Sequence, residues 1–323
     1  MTHPATITYR WCGHPAKWLA GFIPDVPTPF DASGAIDLAA FVHLCERQIT
    51  AGATALVICE TAGEASTLTS AERTLLIRTA TETSDKRVHV IAGAGSNATG
   101  RAVELTRQAA AAGADAIISV VPYYNRPMQE GIYAHFSAVG EATALPIVLH
   151  DCPSRTARPL ADDTLARLVR SSQFVGLRDG TGDVVRVSRL RACLPLGFRL
   201  LSGDDATAPA YLAEGGDGCI SEIANVAPEL CAAIVSHSLR RHWRAARQVH
   251  KRLAPLIEAC AREEPAALKY ALSLQGLMRP DMRLPLVELD NPAKVAVKDA
   301  MEYLGHPAEK RTPQLCAKAS PES

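Results

Sequence analysis

FVGLRDGTGD, residues 174–183, starts as a short apolar run, climbs to Arg178 and breaks at once into glycine and polar residues. A half-exposed strand would alternate apolar with polar residues. A short, nearly continuous apolar run ended by turn formers reads instead as a strand covered on both faces. Such a strand delivers one charged side chain, Arg178, to the loop that follows it.

The same pattern recurs along the chain. The apolar runs are FIPDV (22–26), ALVIC (55–59), VHVIAG (88–93), DAIISV (115–120), PIVLH (146–150), FVGLR (174–178), FRLLSG (198–203) and DGCIS (217–221). Between them, stretches 38–51, 70–84, 99–112, 129–141, 160–171 and 183–193 carry apolar residues at helical spacing. Leu38, Phe41, Leu44 and Cys45 show this in the first. Buried strands alternating with helices imply a parallel sheet covered by helices. Eight such units between residues 21 and 235 fit an α/β fold, the (β/α)8 TIM barrel. A doubly wound sheet would want a glycine-rich phosphate turn after its first strand. The nearest candidate, GAGSNATG (93–100), follows the third strand and lacks G-x-G-x-x-G spacing. Beyond 235 only helical patterns remain, at 238–261, 265–276 and 291–303, with Pro280 and Pro285 breaking the last two apart. The expected organisation is an N-terminal extension (1–20), the barrel (21–235), a C-terminal helical region (236–305) and a mobile tail (306–323).

Composition narrows the function. Of 323 residues, 47% are hydrophobic, enough for a large core. Lys+Arg and Asp+Glu are both 34, so the net charge is zero. That argues against nucleic acid and anionic membrane as partners, which call for clustered positive charge. The arginine-rich SLRRHWRAARQVH (238–250) reads as a solvated helix face. No apolar run approaches the ~20 residues of a membrane span, and the first residues lack a signal-peptide pattern. The nine cysteines are odd in number, scattered, and without zinc spacing. They read as reduced thiols of a cytoplasmic protein, acting as small hydrophobes. No metal and no cofactor is expected.

A (β/α)8 barrel carries its active site at the C-terminal ends of its strands. Those ends read CETAGEASTLT (59–69), VPYYNRP (121–127), HDCPSRT (150–156), RDGTGD (178–183), SGDDA (202–206) and ISEIANVAP (220–228). Strand alternation puts His150 on the face of Val148, and Arg178 on that of Gly176. If both faces point inward, imidazole and guanidinium meet at the barrel mouth. Glu60 closes an apolar strand, and a buried carboxylate there calls for a partner.

Six motifs in order, TAGEASTLT, PYYNRPMQEGIYAHF, LPIVLHDCPSRT, GLRDGTGD, LLSGDDA and GCISEIANVAP, resemble the dihydrodipicolinate synthase/N-acetylneuraminate lyase family over about residues 20–305. Arg155 and YYNRP resemble its synthase branch. The resemblance implies a (β/α)8 barrel with a helical C-terminal region, a homotetramer or homodimer, and lyase chemistry on pyruvate or another 2-oxo acid through a lysine Schiff base. Arg178 stands where that lysine belongs, and a permanently charged guanidinium cannot supply the neutral amine. His150 stands in place of the motif's proton-relaying tyrosine. The resemblance further implies that Thr61 and the backbone at Ala62 hold a substrate carboxylate. Tyr124 would reach a neighbouring subunit's site, and Arg155 would bind a second substrate's carboxylate. Gly203 and Ile220 would lie near the site through their backbones. Lys269 matches a lysine that is not the nucleophile. Ser70, Arg73 and Arg101 replace the residues that hold inhibitory lysine, so no lysine inhibition is expected.

The expectation from these residues is a lyase, hydratase or isomerase acting on a small 2-oxo acid or carboxylate. Arg178 would anchor charge, His150 would be the acid/base, with neutral imidazole favoured by the Arg178 charge, and Glu60 a partner or second base. For Arg178 the plainer alternative is a structural ion pair with Asp151, Asp179 or Glu60. A non-catalytic carboxylate-binding or regulatory protein of the same fold is the rival function.

Overall fold

A computed structural model of the chain describes residues 16–305. The expected tail 306–323, and most of the expected extension 1–20, lie outside the described residues. The eight strands are β1 (Gly21–Pro24), β2 (Ala55–Ile58), β3 (His89–Gly93), β4 (Ala116–Val120), β5 (Ile147–Asp151), β6 (Phe174–Asp179), β7 (Arg199–Ser202) and β8 (Gly218–Ser221). All are parallel, in the order β1-β8-β7-β6-β5-β4-β3-β2. The seam between β1 and β2 is drawn together by Val26 N–H donating to Val57 O at 2.9 Å and Thr54 N–H donating to Phe22 O at 3.2 Å. The result is a nearly closed TIM barrel.

Helices α1 (Leu38–Thr50), α2 (Ser70–Ser84), α3 (Thr99–Ala111), α4 (Gln129–Glu141), α5 (Pro153–Thr156), α6 (Asp162–Leu168), α7 (Val185–Cys193), α8 (Ala208–Ala213) and α9 (Pro228–Leu239) run between and after the strands. The starts of α1 and α2 have a local cause. In α1, Asp37 caps the first turn by accepting from Ala40 N, and Phe41, Leu44 and Cys45 are buried, the face that the spacing marked. In α2, Thr69 and Glu72 satisfy each other's backbone N–H groups as a capping box.

Alternation along the strands separates two cores. Ile23, Val57, Ile91, Ile118, Val148, Leu201 and Ile220 point inward and fill the barrel. Leu56, Ile58, Leu149, Leu177 and Leu200 point outward against the helices. The C-terminal region is α10 (Trp243–Ala261), α11 (Ala266–Leu274) and α12 (Asn291–Gly305). The helix expected from 238 starts only at 243. Leu239 ends α9, and Arg241 takes a left-handed backbone (φ 61°) in the break before α10.

Candidate active site

The inward-facing residues at the strand ends converge. His150 and Arg178 sit opposite each other in the β5–β6 register, and Glu60 follows β2. Arg178 Nη1 donates to Glu60 Oε2 at 3.0 Å and to Asp25 Oδ2, just after β1, at 2.8 Å. Its Nη2 lies 3.6 Å from Glu222 Oε1, just after β8. His150 Nδ1 contacts Glu60 Oε1 at 2.9 Å. Glu60 Oε2 also accepts short hydrogen bonds from the N–H and Oγ of Thr61. Arg178, Asp25, Glu60 and His150 are all buried. One guanidinium therefore holds together carboxylates from three parts of the barrel.

The charges follow from that packing. Burial opposes the guanidinium charge, but Asp25, Glu60 and Glu222 outweigh it, so Arg178 holds its proton more firmly than usual. Burial likewise opposes the Glu60 carboxylate. The His150 charge and hydrogen bond, then Arg178 and Thr61, reverse this and hold Glu60 well below the carboxylate range. For Asp25 burial prevails over Arg178, and its pKa is pushed up to about 6. Glu222 is raised well above the ordinary value, by burial first and by Glu264 and Asp25 next. His150 corrects an expectation. Burial and Arg178 both disfavour imidazolium, but the Glu60 carboxylate outweighs them and raises its pKa. The Glu60 carboxylate therefore favours the imidazolium form, the reverse of what the Arg178 charge alone would do.

Above this floor opens a cavity of about 490 Å³, lined among others by Glu60, Thr61, His150, Tyr123, Arg155 and Glu264. Arg73 and Arg101 line it as well. Among the described residues, no lysine lines it. Lys269 is fully buried against Glu64 in an ion pair and carries its Nζ over the Phe30 ring.

The other sequence-selected residues separate in space. Arg155 is partly exposed and pairs with Glu264 at 2.7 Å. Ala62 is buried within the loop after β2, and Ile220 belongs to the barrel filling. Gly203 lies against Arg178: a Cβ there would stand 2.9 Å from Arg178 Cγ. Tyr124 lies away from the cavity, 89% exposed, on a left-handed backbone (φ 70°). Arg178 does not line the cavity; it lies beneath it, its charge met by the protein's own carboxylates. The Thr61 N–H, expected to hold a substrate carboxylate, is spent on Glu60.

Asp151 and Asp179 are not partners of Arg178. Asp151 points outward, where Arg186 of α7 meets it at 2.7 Å and Asp179 at 3.4 Å. Asp25 and Glu222 were not singled out from the sequence, although both close strand ends of the kind that marked Glu60. Among the described residues, no group of three or more His, Cys, Asp or Glu side chains is placed to hold a metal ion, and no helix is long and apolar enough to cross a membrane.

Comparison with known proteins agrees with this architecture. The model of the Dihydrodipicolinate synthetase family matches residues 18–304. A 4-hydroxy-tetrahydrodipicolinate synthase of Hyphomonas neptunium is 47% identical over 289 residues, covering 88% of this chain and 98% of the relative. One from Rhizobium meliloti is 44% identical over 287 residues, covering 88% and 98%. Among solved structures, the 4-hydroxy-tetrahydrodipicolinate synthase of Methylacidiphilum fumariolicum SolV aligns with a TM-score of 0.87 at 38% identity, covering 89% of this chain and 96% of that one. The chloride-inhibited dihydrodipicolinate synthase of Acinetobacter baumannii, complexed with pyruvate, aligns with a TM-score of 0.86 at 36% identity, covering 88% and 99%. With barrel, strand-end site and helical region all inside the match, the chain belongs to the dihydrodipicolinate synthetase family.

Proposed function

We propose that this protein is a lyase acting on a small 2-oxo acid or related carboxylate by proton transfer at the His150–Glu60 pair, without a Schiff base. One observation carries the reading: the strand-end position where the resemblance puts the amine holds Arg178, tied to Asp25 and Glu60, while His150 and Glu60 line the cavity. In this reading Glu60 fixes the His150 ring through Nδ1 and stabilises its charge, and the imidazolium donates a proton to the substrate. Arg178 holds Glu60 ionised and in place. Arg155, at the cavity wall, leaves Glu264 to take a substrate carboxylate bidentately. Pyruvate in the complexed Acinetobacter relative supports a 2-oxo acid as the substrate class.

The test is borohydride reduction in the presence of pyruvate, read by intact mass. The native protein gains no adduct, whereas Arg178→Lys does. An adduct on the native chain would mean that one of its own lysines performs Schiff-base chemistry and would end the proposal.

The second reading, a non-catalytic carboxylate-binding protein, is favoured by Glu60 itself, which occupies the Thr61 N–H and the Arg178 fork. Thermal shift across a series of small carboxylates separates the two. Binding without turnover of any of them selects the second.

A further inference from the structure

Among the described residues three arginines are buried: Arg73, Arg178 and Arg186. Arg178 is met by Asp25, Glu60 and Glu222. Arg186 is met by Asp151, Asp162 and Asp179. Arg73 differs from both. Its guanidinium donates to two backbone carbonyls, Ala65 O at 2.9 Å and Gly93 O, and no carboxylate among the described residues pairs with it. Carbonyls orient a guanidinium but leave its charge unneutralised, and a buried charge in that condition is costly. Of the three, Arg73 is also the one that lines the cavity.

A second cation stands beside it. Arg101 reaches across from α3 and donates through Nη2 to Ser70 Oγ at 2.7 Å. Ser70 and Arg73 lie three residues apart at the start of α2, on one face of the helix. Arg101 lines the cavity too, together with Ser66, Ser96 and Tyr123. Its Nη1 pairs with Glu104 at 2.7 Å, but those side chains are 39% and 54% exposed, and such pairs hold weakly. The carboxylates that line the cavity are engaged elsewhere: Glu60 with Arg178 and His150, Glu64 with Lys269, Glu264 with Arg155.

We propose that Arg73 and Arg101 form a subsite for a second carboxylate, so that the acid this cavity takes is a dicarboxylic 2-oxo acid. The proposal rests on the reading of the cavity as a 2-oxo acid site and specifies which acids enter it. The 2-oxo acid end lies toward β5, where His150 and Arg155 stand. The remote carboxylate meets the arginine pair on the β2–β3 side, where Arg73 is anchored at Gly93 O. A guanidinium fork matches a carboxylate in shape and charge, and an anion there neutralises the one buried arginine that the protein itself leaves unpaired. Size agrees. A cavity of about 490 Å³ falls among those that enclose drug-sized ligands, roughly 300–1,000 Å³, and pyruvate alone would leave much of it unfilled.

Calorimetry on the full chain, in buffer free of phosphate and sulfate, compares acids of equal chain length: 2-oxoglutarate with 2-oxopentanoate, and 2-oxoadipate with 2-oxohexanoate. Each pair differs only at the remote end, carboxylate against methyl. For at least one pair the dicarboxylate binds about tenfold tighter or more, the scale of a charge-assisted contact. Arg101→Gln, at a partly exposed position, lowers the dicarboxylate affinity about tenfold and leaves the monocarboxylate affinity unchanged, which also shows that the site is still folded. Arg73→Lys keeps the charge, loses the fork and weakens the dicarboxylate in the same selective way. Arg78→Gln, exposed on α2 and not lining the cavity, makes the same change in net charge without effect. Equal affinities within both pairs overturn the proposal. So does a preference that Arg101→Gln leaves intact, or that Arg78→Gln lowers equally. Failure of the underlying reading looks different: none of the four acids binds. Borohydride trapping decides the Schiff base and leaves the dicarboxylate preference to be read from binding alone.

Discussion

Glu60 is the residue on which the site turns, because its two carboxylate oxygens answer to different partners, Oε1 to His150 and Oε2 to Arg178 and Thr61. Replacing it with glutamine leaves Arg178 buried with Asp25 as its near partner. The expected cost is about 3 kcal/mol, the low end for breaking a buried pair, since Asp25 remains. Urea unfolding measures it. The pH dependence has a definite sign. His150 is raised from 6.5 in the folded state, so its share of stability is full below that value and is lost as pH rises through the folded value. Glu60 is lowered from 4.5, so its share is full above that value and is lost as pH falls through the folded one. The difference between native and Glu60→Gln is therefore largest between about pH 4.5 and 6.5 and shrinks as pH rises through the folded His150 value. By NMR, His150 titrates above 6.5 in the native protein and below it in Glu60→Gln, where burial and Arg178 act unopposed. A native midpoint below 6.5 would refute the imidazolium–carboxylate pair.

At the scale of the element, strand ends set what each side chain meets. His150 points in and Asp151 points out, so neighbouring residues on β5 belong to separate networks, one at the barrel floor and one against Arg186. Alternation along β5 accounts for that separation, yet the sequence reading kept Asp151 among the Arg178 partners, because it applied alternation to His150 and Arg178 and not to Asp151. The strands were legible too, because burial on both faces leaves uninterrupted apolar runs. The pairing of Arg178 with Asp25 was not, because it depends on barrel closure between strands 153 residues apart. Nor was the short α8, six residues that offer little helical period. Close packing at β7 gives a direct test. Gly203→Ala puts a methyl 2.9 Å from Arg178 Cγ and 3.1 Å from Gly180 N. Overpacking there costs about 1–3 kcal/mol. Gly100→Ala, in α3 with nothing within 4 Å, serves as the reference and is stabilising by up to about 1 kcal/mol. Equal unfolding midpoints for the two variants would mean that the Arg178 stem is not held where the packing puts it.

For the whole molecule, the barrel and the helical region share one buried ion pair. Glu64, on a left-handed backbone (φ 49°) in the loop after β2, meets Lys269 of α11 with both side chains fully buried. Lys269 also donates to Asp281 O at 3.0 Å, and its ammonium lies 4.2 Å from the Phe30 ring centroid. Arg283 covers the same ring at 4.3 Å, donates through its backbone N–H to Glu64, and pairs with Glu72 of α2. Glu64 also lines the cavity, as do Pro265 and Pro285 of the helical region. This seam therefore joins the cap to the loop that carries Glu60. Lys269→Met removes the cation and strands a buried carboxylate, which costs about 3–5 kcal/mol. Adding Glu64→Gln removes the stranded charge, so the double variant recovers part of that loss, a coupling that a double-mutant cycle in urea reads directly. Strictly additive losses would show that the pair does not hold cap to barrel.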